Sequence, residues 1–228
     1  TSVLSMVAPQ VVEKSVARLY DRALSCEKKT PSSNVFETFC DLTYKYLYNP
    51  NSPMRNEDIY YHFVKRLASY DGLTPEMREK YAYDAKMCSL NRVGTVATDF
   101  RFADKTGKIR TLHSIEAPVT LLFFSNPGCT MCYDIIQVLS GSEVISERIA
   151  AGQMAVLNIY IDEDLEGWRS YMSIYPENWY NGFDPDLVIR SENLYNVRAI
   201  PSLYLLDENK KVLFKDVPEQ TLFRVLGL

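Results

Sequence analysis

Val119-Thr-Leu-Leu-Phe-Phe-Ser-Asn-Pro-Gly-Cys129-Thr-Met-Cys132-Tyr-Asp-Ile-Ile136 decides how the rest of the chain is read. Its first six residues are β-branched, aliphatic or aromatic without a polar interruption longer than one threonine, the pattern of a strand buried on both faces. Pro127-Gly128 then marks a tight turn. Two cysteines three apart open a segment of helical apolar period. Strand, turn and Cys-x-x-Cys at a helix start form the arrangement a dithiol redox site needs. Unpaired N–H groups and the helix dipole favour a thiolate at the first cysteine, and the second is close enough to close a disulfide.

The 228 residues suffice for one large domain or two small ones, each with a real core. A net charge of -4 gives no electrostatic case for binding nucleic acid or an anionic membrane. No apolar run approaches the roughly 20 residues of a membrane span. Thr1-Ser-Val-Leu-Ser-Met6 has no basic segment and is too short for a signal peptide, so it reads as a mature or trimmed end. Of five cysteines, Cys26, Cys40 and Cys88 are scattered through helix-like sequence and read as small buried apolar residues; only Cys129 and Cys132 are patterned. A zinc site would need two more ligands, yet His62 and His113 are isolated and no second Cys-x-x-Cys exists, so no metal is expected.

Upstream of about residue 92 the periodicity is helical throughout. Val12, Val16, Leu19, Tyr20 and Leu24 form one stripe, and Val35, Phe36, Phe39, Leu42, Thr43, Tyr46 and Leu47 a second, with Asn34 as the expected N-cap and Glu37 three residues on. Asn49-Pro-Asn-Ser-Pro53 breaks the pattern. Ile59, Phe63, Val64 and Leu67 form a third stripe, and Thr74-Pro75 starts a fourth helix with Met77, Tyr81, Ala85 and Cys88 on one face. Four helices with short connections predict an all-α bundle domain over 1–92.

Downstream, alternation replaces helical period. Phe100 and Phe102 lead to a hairpin turn at Asp104-Lys-Thr-Gly107. Glu143 to Gly152 reads as helix, and Met154 to Ile161 as a second buried strand. Asp162-Glu-Asp164 is expected to cap a helix from Leu165 to about Met172 and to face solvent. Tyr175 to Pro185, with Trp179 and Tyr180, reads as a polar-aromatic excursion, followed by Leu187-Val-Ile189 and a short helix around Asn193-Leu-Tyr195. Trp168, Tyr175, Trp179 and Tyr180 read as packing residues before groove residues. Ser202 to Leu206 and Val212 to Phe214 form a hairpin, and Pro218 to Leu226 a closing helix. Strands alternating with helices predict an α/β domain with a mixed sheet over 93–228.

Four features of that half together resemble the thioredoxin fold: the strand into Pro-Gly-Cys129-Thr-Met-Cys132, the strand Val156–Ile161 with its acidic turn, Val197-Arg-Ala-Ile-Pro201, and Leu203-Tyr-Leu-Leu-Asp207 before a lysine-rich turn. The likeness covers roughly residues 94–228 and is strongest to the exported TlpA/ResA-like branch, which carries an N-terminal hairpin where Phe100–Thr111 lies here. The whole chain, with Tyr48-Asn-Pro-Asn-Ser-Pro-Met-Arg-Asn56 and Glu177-Asn-Trp179, is similar to Bacteroidetes proteins that place a helical domain of unknown function before a thioredoxin-like one.

The resemblance implies a thiol–disulfide oxidoreductase with Cys129 as attacking thiolate and Cys132 as resolving thiol. Pro201 would follow a cis peptide bond, the Ile200 backbone would pair with an extended substrate segment, and Gly128, Thr130 and Met131 would border it. No cofactor is implied. The implied partners are cysteine-containing exported proteins and an upstream thiol reductant, in the periplasm or cell envelope, with a lipid anchor upstream of Thr1 as in many such chains. Departures concern tuning. Gly128 replaces the usual aromatic before the first cysteine, Thr130-Met131 the common proline-containing dipeptide, Phe123 the buried acid six residues upstream, and Gln137 the helix proline. Ile135 stands where some relatives carry an acid, with Asp134 one residue earlier. The alternative reading is an envelope binding or scaffold protein that uses the fold without significant redox turnover.

Overall fold

The run Val119–Phe124 forms an internal strand, β3, of a seven-stranded mixed sheet in a computed structural model that describes residues 9–228. Thr1–Met6, considered above for a leader, lies outside the described residues. The chain divides into two compact units, one ending at Leu90 and the other running Asn91–Leu228.

The first unit is helical: α1 (Pro9–Lys29), α2 (Val35–Thr43) continued by a π-helical turn over Tyr44–Tyr48, α3 (Glu57–Leu67) and α4 (Pro75–Ser89). Val12, Val16, Ile59, Phe63, Val64 and Cys88 meet in its main core. The stripes are narrower than the sequence predicts, since Leu19, Leu42, Tyr46 and Met77 are exposed. Thr74 caps α4 through the Met77 N–H as expected. Asn34 does not cap α2: it sits in a left-handed conformation at φ 49°, and the Phe36 N–H instead donates to Glu27 Oε2 of α1 at 2.7 Å. A tertiary carboxylate thus satisfies the orphan donor that local sequence assigned to Asn34.

The second unit contains β1 (Arg101–Asp104), β2 (Ile109–Thr111), β3, α5 (Thr130–Ser140), α6 (Glu143–Ala150), β4 (Met154–Tyr160), α7 (Leu165–Ser170), β5 (Tyr180–Phe183), α8 (Val188–Ser191), β6 (Ser202–Asp207), β7 (Val212–Phe214) and α9 (Glu219–Leu226). The sheet order is β2-β1-β5-β4-β3-β6-β7. Strands β3, β4 and β5 are parallel, while β6 runs antiparallel to β3 and β1 antiparallel to β5. Period-2 alternation sorts side chains between two layers. Leu122, Phe124, Leu157, Ile159, Tyr204 and Leu206 fill one, and Leu121, Phe123, Val156, Leu203 and Leu205 fill the other with Cys132 and Trp168.

Two elements differ from the sequence reading. The stretch read as an excursion contains β5, which joins the β1–β2 hairpin to the central strands. Gly182 makes this joint possible, because a Cβ there would lie 2.6 Å from Phe102 Cδ2 and 3.0 Å from the Ala103 carbonyl. The short helix falls at Val188–Ser191 and not around Asn193–Tyr195. Asp184 decides this, with its carboxylate accepting from the Asp186 and Ile189 N–H groups and starting the turn earlier. Cys26 is exposed and Cys40 half-buried, so only Cys88 of the three unpatterned cysteines is a buried apolar residue.

Candidate active site

At the end of β3 the chain leaves the sheet through Ser125-Asn-Pro-Gly128 and enters α5 at Cys129. Gly128 stands at φ +75°, a conformation open to glycine at little cost and unfavourable for the aromatic side chain expected in the family. Cys129 is the N-cap residue of α5, and its Sγ accepts the Cys132 N–H at 3.1 Å. A sulfur thus occupies the place where a capping oxygen usually sits, on the positive end of the helix dipole. Cys129 and Cys132 are joined as a disulfide, with Cα atoms 5.2 Å apart.

The two sulfurs have unequal surroundings. Cys129 is half-buried at the mouth of the loop, whereas Cys132 is 2% exposed and packs in the layer of Phe123, Ile135 and Ile136. Thr130 and Met131, on the first turn between them, are exposed. Asp134 and Gln137 face solvent. Phe123 and Ile135 are fully buried in the layer that holds Cys132, so apolar side chains stand there in place of the carboxylates that some relatives carry.

The register of β3 with β6 sets Phe124 opposite Ser202. The segment entering β6 therefore lies beside the segment leaving β3, at the same end of the sheet as the cysteines. There the Ile200–Pro201 peptide bond is cis. Pro201 is buried, and half-buried Ile200 packs against both core layers, including the one that holds Cys132 and is flanked by Cys129. Residues 71 positions apart in the chain are thus brought to one end of the sheet by strand pairing.

Sequence reasoning missed the three polar side chains that hold this end of the sheet. Asn126 Nδ2 donates to Asp162 Oδ2 at 2.7 Å, and Arg190 Nε meets Asp162 Oδ1 at 2.7 Å. Asp162 therefore ties the cysteine loop to α8 instead of capping a helix; Asp164 alone caps α7, accepting the Gly167 N–H at 2.9 Å. The acidic turn after β4 was the visible signal, but its partners are 36 and 28 residues away in sequence. Beneath the loop, the Ser125 hydroxyl donates to Asn158 Oδ1, and Asn158 Nδ2 donates to Asn181 Oδ1 at 3.1 Å. The Tyr175 hydroxyl lies buried near Ser125 and Asn158 without a well-aligned bond to either, and burial pushes its phenol up. The expected packing role of Trp168, Tyr175 and Trp179 agrees with their burial.

Two families match the sequence: a domain of unknown function, DUF5106, over residues 1–91, and a thioredoxin-like family over residues 118–212. A thioredoxin-like protein from Bacteroides caccae is 34% identical, with a TM-score of 0.89 over 99% of this chain and 79% of its own. The C-terminal domain of an uncharacterized protein from Bacteroides fragilis is 44% identical over 60% of this chain and 99% of its own, with a TM-score of 0.58. A domain of a possible thiol-disulfide isomerase from Cytophaga hutchinsonii is 25% identical over 61% of this chain and 93% of its own, with a TM-score of 0.51. No curated protein matches the chain. The chain belongs to the thioredoxin-like proteins that carry an N-terminal domain of unknown function. No helix among the described residues is long and apolar enough to cross a membrane.

Proposed function

We propose that the protein is a thiol–disulfide oxidoreductase of the cell envelope acting on cysteine-containing exported proteins, with a helical domain over 1–92 and the redox domain over 93–228. The observation that carries this reading is Cys129 Sγ at the α5 N-cap, disulfide-bonded to a buried Cys132. In the reduced protein, Cys129 thiolate attacks one sulfur of a substrate disulfide. The substrate's other sulfur leaves as a thiolate and takes a proton, and a mixed disulfide remains on Cys129. Cys132, as thiolate, then attacks the Cys129 sulfur, re-forms the disulfide seen here and releases the second substrate thiol. Two electrons pass from the dithiol to the substrate, and an upstream thiol reductant restores the protein.

Gly128, Thr130 and Met131 would flank the incoming sulfur, and the Ile200 backbone would pair with an extended segment while Pro201 offers no competing N–H. Reduction or isomerisation fits better than oxidation by likeness to the TlpA/ResA-like branch, whose N-terminal hairpin corresponds to β1–β2. The description of the Cytophaga hutchinsonii relative as a possible isomerase supports the same direction. Apolar Phe123 and Ile135 beside Cys132 favour the second reading, a binding or scaffold protein without turnover.

The experiment is trapping with Cys132→Ser in envelope extracts. A mixed disulfide on Cys129, lost on Cys129→Ser, is the expected result, together with insulin-disulfide reduction by the unmodified protein. A variant that accumulates no adduct and a protein inert toward insulin would leave the scaffold reading.

A further inference from the structure

Side chains on either side of the Ile200–Pro201 peptide converge on one buried carboxylate. Arg198 Nη2 donates to Asp216 Oδ2 at 2.8 Å, and Ser202 Oγ donates to Asp216 Oδ1 at 2.9 Å. The Asp216 side chain is 6% exposed and that of Arg198 11%. Asp216 lies between β7 and α9 at φ 43°, a left-handed conformation that is uncommon outside glycine. Its neighbour Val217 donates its N–H to the Leu203 carbonyl at 3.3 Å, so the loop is also pinned to β6. A buried ion pair is a weak source of net stability, because lost hydration offsets the attraction. A buried pair with positive φ, gripping both ends of one short loop, points instead to a geometric task.

We propose that Asp216 is a positioning residue for substrate docking. Through Arg198 and Ser202 it holds the Ile200 backbone in the conformation that accepts an extended cysteine-bearing polypeptide as an added strand. The inference rests on the exchange reaction proposed above. A polypeptide that meets a fixed partner strand loses less free energy to ordering. A small disulfide has no backbone to pair, and its reaction with Cys129 does not depend on the clamp. Asp216 therefore separates the two substrate classes.

The test compares a short peptide carrying a fluorophore through a disulfide with hydroxyethyl disulfide, both reduced by the full chain with excess glutathione as the recycling two-electron donor and its direct reaction subtracted. Asp216→Asn keeps the acceptor for Ser202 and removes the charge facing Arg198. It is expected to raise KM for the peptide about fivefold or more, with kcat on the peptide and kcat/KM for hydroxyethyl disulfide within about twofold. Arg198→Gln should give the same split. Ser202→Ala, which removes one neutral bond, should give a smaller shift of the same kind and serves should the charge variants misfold. Equal losses on both probes, or an unchanged peptide KM, overturn the proposal. An unmodified protein inert to both probes sinks the exchange reading and this inference together. Turnover of both probes without a split in the variants sinks this inference alone.

Discussion

Cys129 and Cys132 share a motif but not an environment, and their chemistry should differ accordingly. Cys129 is half-exposed on a helix N-terminus, which favours its thiolate; Cys132 is buried among apolar side chains, which favours its thiol. Pulse alkylation of the reduced protein at neutral pH should label Cys129 at least about tenfold faster than Cys132, as peptide mass spectrometry would record. Equal rates would remove the assignment of Cys129 as attacking thiolate. Cys26 should label readily because it is exposed. Cys40 should not, since burial, helped by Asp41, pushes its thiol up to about 12. The motif was plain in the sequence at this level, and so was the cis bond at Pro201 through family likeness. Asp162, Asn126 and Asp216 were not, because their partners lie far away in sequence and no spacing rule joins them.

Strand β5 shows where reading by pattern fails. Tyr180-Asn-Gly-Phe183 has no apolar alternation of its own, and Asn181 and Gly182 argue against a strand. It forms because β4 and β1 offer free edges on both sides and because Gly182 lets the Phe102 ring approach. Gly182→Ala should therefore lower the stability of the second unit by about 1–3 kcal/mol, read as a reduced denaturant midpoint with unchanged slope. Gly152→Ala is the matched comparison: it has open space around its Cβ but a φ of +67°, so it should cost only about 1 kcal/mol. If both variants lose equally, steric contact with Phe102 is not what the glycine serves. The α2 cap follows the same logic, since Glu27 displaces Asn34 only once α1 and α2 have docked.

In the helical unit, burial raises three acids together. Cys40, Tyr20 and Tyr81 move from ordinary values of 9.0, 10.0 and 10.0 up to about 12, in each case first through loss of hydration. Tyr60 is raised as well, by burial and then by Asp84. For such groups the unfolded chain releases its protons first, so the neutral native form gains no stability below about pH 9 and loses ground between about 9 and 12. Thermal melts should show the midpoint of this unit constant from pH 7 to about 8.5 and falling above pH about 9.5. A midpoint that rises with pH in this window would contradict the burial of these groups.

The buried run at 119–124, the Cys-x-x-Cys spacing and the helical stripes before residue 90 were fixed by local chemistry. Strand propensity, turn residues and apolar period act over a few residues and need no partner to be read. Pairing decided the rest: the insertion of β5, the carboxylates that grip the cysteine loop and the Ile200–Pro201 loop, and the apolar floor beneath Cys132. Each depends on which distant group arrives to satisfy a hydrogen bond or fill a volume. The pair Cys129–Cys132 was therefore evident from the chain, whereas the two carboxylates that hold the backbone around it emerge only when the sheet is assembled.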